Sequence, residues 1–304
     1  MRGKEGPLTT SRLRSATSDP DRTAKLEGRW VIVRGTPIYH RAHEPEVAGP
    51  VLLHVHGFAI SGSYMVPTAE LLADEFTTYV PDLPGFGRSP RPDHALDIAQ
   101  LADSLAAFLD SVGVEMATLV GNSLGCAILA AFAERHRDRL DRAVMVSPAG
   151  GRQSQPLPRA IWQLSTDAPR EPLSMATVAV PDYLHFGVAD TLRLFVAMTR
   201  FPALDALLDL DAPLLAVLGV RDPLQPPASR IKEVVRQMHP GITLAVMRDA
   251  AHAINFSHPR ELAGLVRAFM NDEPMVSSLL PEPATPPLSP VAILRRREPG
   301  FTDA

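Results

Sequence analysis

Short continuous apolar runs alternate along this chain with segments whose apolar residues recur every three or four positions, a pattern that predicts strands and helices in turn. Residues 51–55, 77–80, 117–120, 142–146, 214–218 and 243–247 have strand length and too little polar alternation to leave one face wet. Each is therefore expected in a parallel sheet covered on both sides. Residues 30–33 and 38–41, with Arg34-Gly35 between them, predict a hairpin at the sheet edge. Between the runs, Ile98, Leu101, Leu105, Phe108, Leu109 and Val112 fall at helical spacing, with Asp97 placed to cap the start and Gly113 to end it. Residues 126–136, 229–238 and 259–270 repeat that pattern. The alternating order predicts a doubly wound α/β sheet, in which ligands gather at the carboxyl ends of the strands.

The alternation stops over residues 151–205, where prolines and aromatic residues occur without a strand-like run, and a mostly helical insertion is expected there. The core is then residues 26–150 and 206–272. Residues 1–25 lack periodicity, and residues 273–304 hold a cluster of prolines from Pro274 to Pro290. Both end segments are expected to be disordered.

Composition narrows the class of function. The 304 residues carry a formal net charge of -4 and are 45% hydrophobic, with no basic field of the kind that nucleic acid or an anionic membrane surface selects. No segment is long and apolar enough to cross a bilayer, and the first residues lack the apolar stretch of a secretory signal, so a cytoplasmic protein is expected. Cys126 is the only cysteine, which excludes an intrachain disulfide and a cysteine metal cluster. The expected partner is a small-molecule substrate, and the oligomeric state stays open.

The run at residues 117–120 meets Gly121-Asn122-Ser123-Leu124-Gly125 and passes directly into an apolar helical segment. A serine on such a strand-turn-helix apex is lifted clear of the sheet, and small neighbours let strand and helix close around it. A serine hydroxyl needs a base within reach and a third group to hold that base. His252 is the candidate base, because it follows the strand at 243–247 by a short turn and precedes the last helix. Asp222 is the candidate orienting acid, at the carboxyl end of the run at 214–218 and kept in a loop by Pro223. Asp249 and Asp82 compete for that role. An oxyanion needs donors too: the N–H of Leu124, first in the following helix, and that of Phe58, aimed by the turn at Gly57. His56 is expected to brace that loop.

Four motifs now stand in order: His56-Gly57-Phe58-Ala59, the run from Asp82 to Ser89, Gly121 to Gly125 around Ser123, and the pair Asp222 and His252. Together they resemble the α/β-hydrolase superfamily over essentially the whole folded body, including its nucleophile, acid, histidine order. The resemblance implies an eight-stranded, mostly parallel sheet with helices on both faces and a helical cap at residues 151–205. Serine at the elbow separates the chain from the dehalogenase and epoxide-hydrolase branches, whose nucleophile is a carboxylate. Asn122 is also similar to its counterpart in hydrolases of carbon-carbon bonds in ring-fission dienoates. Those enzymes carry a glycine- and proline-rich loop where this chain has Phe58-Ala59-Ile60-Ser61, and tryptophan where it has Ala253. Hydrolysis of a carboxylic ester or related acyl substrate is therefore the first reading and carbon-carbon cleavage the second. Acyl transfer, perhydrolysis or binding without turnover stays open. The chemistry requires no metal or organic cofactor, and Trp162, Phe186, Phe195 and Met198 of the cap would shape the substrate pocket.

Overall fold

The computed structural model describes residues 25–275 and 291–294, Ala95, Gly187 and Leu207 excepted; side chains at 152, 153, 183–191 and 204 are not part of the description. The expectation of disorder at residues 1–24, 276–290 and 295–304 lies outside the described residues. The predicted hairpin forms β1 (Glu27–Val33) and β2 (Thr36–His43), paired antiparallel from Glu27 opposite Ala42 to Val33 opposite Thr36. There follow β3 (Val51–Val55), α1 (Val66–Leu72), β4 (Thr77–Pro81), α2 (Ile98–Ser111), β5 (Ala117–Asn122), α3 (Leu124–Arg135) and β6 (Leu140–Val146). The insertion is helical: α4 (Leu157–Asp167), α5 (Ala176–Phe186), α6 (Val188–Arg200) and the short α7 (Ala203–Ala206). The chain returns to the sheet through β7 (Leu214–Gly219), α8 (Ala228–Gln237), β8 (Ile242–Met247), α9 (Ile254–Ser257), α10 (Pro259–Met270) and β9 (Val291–Leu294).

One sheet holds nine strands in the order β1-β2-β4-β3-β5-β6-β7-β8-β9, where eight were expected. From β4 to β8 neighbours pair in parallel, while β1, β2 and β9 are antiparallel additions. The extra strand comes from within the tail read as disordered. Val291 lies opposite Met247 and Leu294 opposite Leu244, so an apolar four-residue run covers the edge that β8 would otherwise leave unpaired.

The central strands are apolar at successive positions because both faces are covered. On one face Leu53, Leu119, Met145, Ala216 and Leu244 pack under α2, α3 and α8. On the other, Leu52, Val120, Val144, Leu215 and Ala245 pack under α1 and α10. Neighbouring residues of one strand thus enter opposite cores, as the two-residue repeat of a strand requires. α2 starts with a capping box in which Asp97 Oδ1 accepts from the N–H of Gln100 at 2.8 Å and the Gln100 side chain accepts from the N–H of Asp97 at 3.0 Å. Successive connections diverge on either side of β3, with β4 to one side and β5 to the other. That reversal opens a crevice at the carboxyl ends of β3 and β5.

Candidate active site

Ser123 stands at this crevice, between the end of β5 and the start of α3, with φ 53° and ψ -111°. A left-handed backbone at a non-glycine residue is strained and persists only where its surroundings enforce it. Here the N–H of Ser123 donates to the Val146 carbonyl at 3.0 Å, tying the apex to β6. The packing on its other side is as tight: a Cβ on Gly125 would lie 2.3 Å from the Val55 carbonyl oxygen. Cys126, one step further along α3, is buried and its Sγ lies 3.2 Å from the Gly121 carbonyl and 3.3 Å from that of Val146. Burial pushes its thiol pKa up, so it is a packing residue rather than a second nucleophile.

Asp222 and His252 follow β7 and β8 and meet across the same rim. Asp222 Oδ2 lies 2.8 Å from His252 Nδ1, and Asp222 Oδ1 accepts from the N–H of Leu224 at 2.8 Å. The second bond closes an Asx turn that fixes the carboxylate. Gly219 is needed for the close approach of the two loops: a Cβ there would lie 2.5 Å from both the Ala250 and Ala251 carbonyl oxygens. Asn122 extends the link, with Nδ2 donating to the Val146 carbonyl at 3.3 Å and lying 3.5 Å from that of His252. Asp249 is exposed. Asp82 accepts from the N–H groups of Gly62 at 2.8 Å and Arg88 at 2.9 Å and pairs with Arg41, which commits it to its own loop.

The loop after β3 faces Ser123. His56 Nδ1 lies 3.0 Å from the Gly57 carbonyl and its Nε2 accepts from the N–H of Leu83 at 3.0 Å, while burial lowers its pKa. It is a neutral brace between two loops. The left-handed turn expected at Gly57 falls instead at Ala59, with φ 52°. Gly57, Phe58, Asn122, Ser123 and His252 line one cavity of about 60 Å³. Leu124 begins α3, so its N–H has no intrahelical acceptor.

The comparisons with known proteins fall on this same frame. Residues 50–168 match the family model described as alpha/beta hydrolase fold. An uncharacterized protein of Mycobacterium tuberculosis is 32% identical over 112 residues, 37% of this chain and 33% of that protein. The chain thus spans about a third of the length of these curated relatives. The pimeloyl-[acyl-carrier protein] methyl ester esterase of Neisseria meningitidis is 28% identical over 257 residues, 76% of this chain and 96% of that one. The crystal structure of carboxylesterase CesB from Bacillus subtilis superposes with a TM-score of 0.62 at 22% identity, over 82% of this chain and 92% of that one. The chain has the α/β-hydrolase fold, matched by that family model over residues 50–168 and shared with the CesB structure.

On this fold the helical insertion differs from the sequence reading in which residues it turns inward. Met198 lines the Ser123 cavity. Phe195 is buried against Phe58, ring centroids 5.3 Å apart, and so backs the loop instead of lining the cavity. Trp162 is a correction: it is 62% exposed and lines neither this cavity nor the groove beside it. Ala160, Gln163 and Asp167 take the inward face of α4, at helical spacing that leaves Trp162 outside. Phe186 ends α5 and its side chain lies outside the described residues.

The residues that spacing missed are polar. Gln163 Nε2 donates to the Pro223 carbonyl at 2.9 Å, Glu171 Oε1 accepts from the N–H of Ala253 at 2.7 Å, and Asp182 Oδ2 accepts from that of Ser61 at 2.7 Å. The insertion therefore holds the Asp222 loop, the His252 loop and the loop after β3, one bond to each. Their only mark in the sequence is that charged and amide residues stand among apolar ones. Carboxylates of the insertion, Asp167 and Glu171, also act on the field at His252. Burial opposes its charged form, but the charge and hydrogen bond of Asp222, followed by Asp167 and Glu171, raise its pKa above the ordinary value. Burial in turn raises Asp167, and raises Glu171 to about 7. Among the described residues no helix is long and apolar enough to cross a membrane.

Proposed function

We propose that the chain is a serine hydrolase cleaving a small-molecule carboxylic ester or related acyl substrate through an acyl-enzyme on Ser123. The reading rests above all on the 2.8 Å contact of His252 Nδ1 with Asp222, with His252 and Ser123 on the wall of one cavity. With Nδ1–H given to the carboxylate, Nε2 is left to take a proton. His252 removes the proton of Ser123 as its Oγ adds to the ester carbonyl, and Asp222 stabilises the imidazolium. The N–H groups of Phe58 and Leu124 hold the oxyanion, a kind of contact whose loss costs about 3–4 kcal/mol of transition-state stabilisation. His252 then protonates the departing alcohol, and in the second half it activates the water that releases the acid. Residues 151–205 act as the cap over this chemistry.

The ester class is supported by the methyl ester esterase relative, which aligns over most of both chains. A fluorophosphonate probe and esters of graded acyl length test the proposal together. The wild type should label and turn over, and Ser123→Ala should do neither. A folded wild-type protein that stays unlabelled and inert toward every ester would overturn it in favour of a binding role.

A further inference from the structure

The end of α4 and the turn after it place Asp167 and Glu171 four residues apart over the His252 loop. Each turns one oxygen toward a backbone N–H of consecutive residues: Asp167 toward His252, and Glu171, which accepts at 2.7 Å, toward Ala253. Each keeps another oxygen that is buried and has no hydrogen-bond partner among the described residues, Asp167 Oδ1 and Glu171 Oε2. Asp167 is only 5% exposed. A buried acceptor left without a donor is costly, so two of them side by side call for an account.

Their position supplies it. Asp167 borders the Ser123 cavity and also a second cavity of about 490 Å³ in the insertion, a volume in the range of small-molecule sites. Leu164 and Met175 are likewise common to the two. The second cavity runs between α4 and α5 over Ile161, Ala176, Ala179 and Val180, with Glu171 on its wall. From the serine outward the walls therefore change in order: a small cavity holding Ser123 and His252 among mostly apolar residues, a buried carboxylate acceptor, then an apolar groove. A plain aliphatic ester would satisfy the first and the last and leave the middle unpaired. A cation would have to shed its water in apolar surroundings. A neutral donor meets the acceptor at lower cost.

We propose that Asp167, with Glu171 beside it, forms a subsite for an N–H or O–H donor of the substrate. The preferred substrate is then an ester whose acyl part carries an amide N–H or a hydroxyl between the reacting carbonyl and an aliphatic tail. The tail occupies the α4–α5 groove. This inference rests on the esterase reading above and adds the chemical class of the substrate. Asp167 is a specificity residue in it, distinct from Asp222, which orients the base.

Two esters of equal length test it: octanoylglycine methyl ester, and methyl 4-oxoundecanoate, which has CH₂ in place of the amide N–H. The wild type should favour the first in kcat/KM by about tenfold or more, because a site built for a donor rejects the analogue lacking it. In Asp167→Ala the ratio should fall to about one. Asp167→Asn, of the same shape, reads the same ratio if the alanine variant does not fold, and should lower it at least about threefold. A ratio near one in the wild type, or an unchanged ratio in a folded Asp167 variant, overturns the subsite while leaving the esterase reading intact. Absence of turnover on both esters, with no fluorophosphonate labelling, would strike the esterase reading itself.

Discussion

Ser123 is held at φ 53° by neighbours that leave no room to relax, and the glycines around it matter for what they let approach. Gly125 faces the carbonyl oxygens of Val55 and His56. Since the obstacle is backbone and cannot swing away, Gly125→Ala should destabilise the fold by about 1–3 kcal/mol in urea denaturation. It should also part the start of α3 from the loop after β3. Separating the two proposed oxyanion donors in this way should lower kcat on an ester by about 10²-fold, as small misplacements do. Unchanged stability and turnover would show that the approach is not tight. Ser123, Asp222 and His252 could be singled out from sequence because each sits where a strand run ends, and strand ends are marked by local composition. Trp162 could not be placed that way. Its neighbours allowed several faces of α4 to turn inward, and packing against the core selected Gln163 and Asp167 instead.

Among the elements, the helical insertion stands out for reaching the core through polar bonds to three separate loops, made by Gln163, Glu171 and Asp182. This arrangement couples the insertion electrostatically to His252. The groups that raise His252 come from the loop after β7, from the end of α4 and from the turn beyond it: Asp222, Asp167 and Glu171. The base must be neutral to act, so kcat/KM should rise with pH along a limb centred above the ordinary 6.5 of histidine. Glu171→Gln removes one of the raising charges, and the limb should move to lower pH. Stability runs in the opposite direction with pH. Glu171 has a folded pKa of about 7 against an ordinary 4.5, so the folded state binds the extra proton between them. Its contribution is whole below 4.5 and is lost as pH rises toward 7. The corresponding fall in stability should be absent from Glu171→Gln, measured by urea denaturation at pH 4.5, 6 and 8. A limb that does not move in that variant would exclude Glu171 from the field at His252.

For the whole molecule, the tail supplies what the core lacks at one edge. Without β9 the outer strand β8 would present its backbone groups and the flank of an eight-stranded sheet to any other chain. Truncation after Met275 should lower stability by about 1–3 kcal/mol, from the lost strand bonds. It should also promote self-association in sedimentation velocity. A truncated chain with unchanged Tm that stays monodisperse would show that β9 contributes nothing to the edge. Proline content pointed to disorder throughout this tail, and the four apolar residues of β9 were too few to register as a strand by themselves. The sequence alone determined the order of strands and helices, the double burial of the sheet and the residues at its strand ends, since these follow from periodicity and turn chemistry within a few neighbours. Only the tertiary structure decided that β9 closes the edge, that α4 faces inward through Asp167, and that three loops are bonded to one helical insertion. Each of those depends on contacts between residues far apart in the chain, where local preference is weak and the free energy of burial and hydrogen bonding makes the choice.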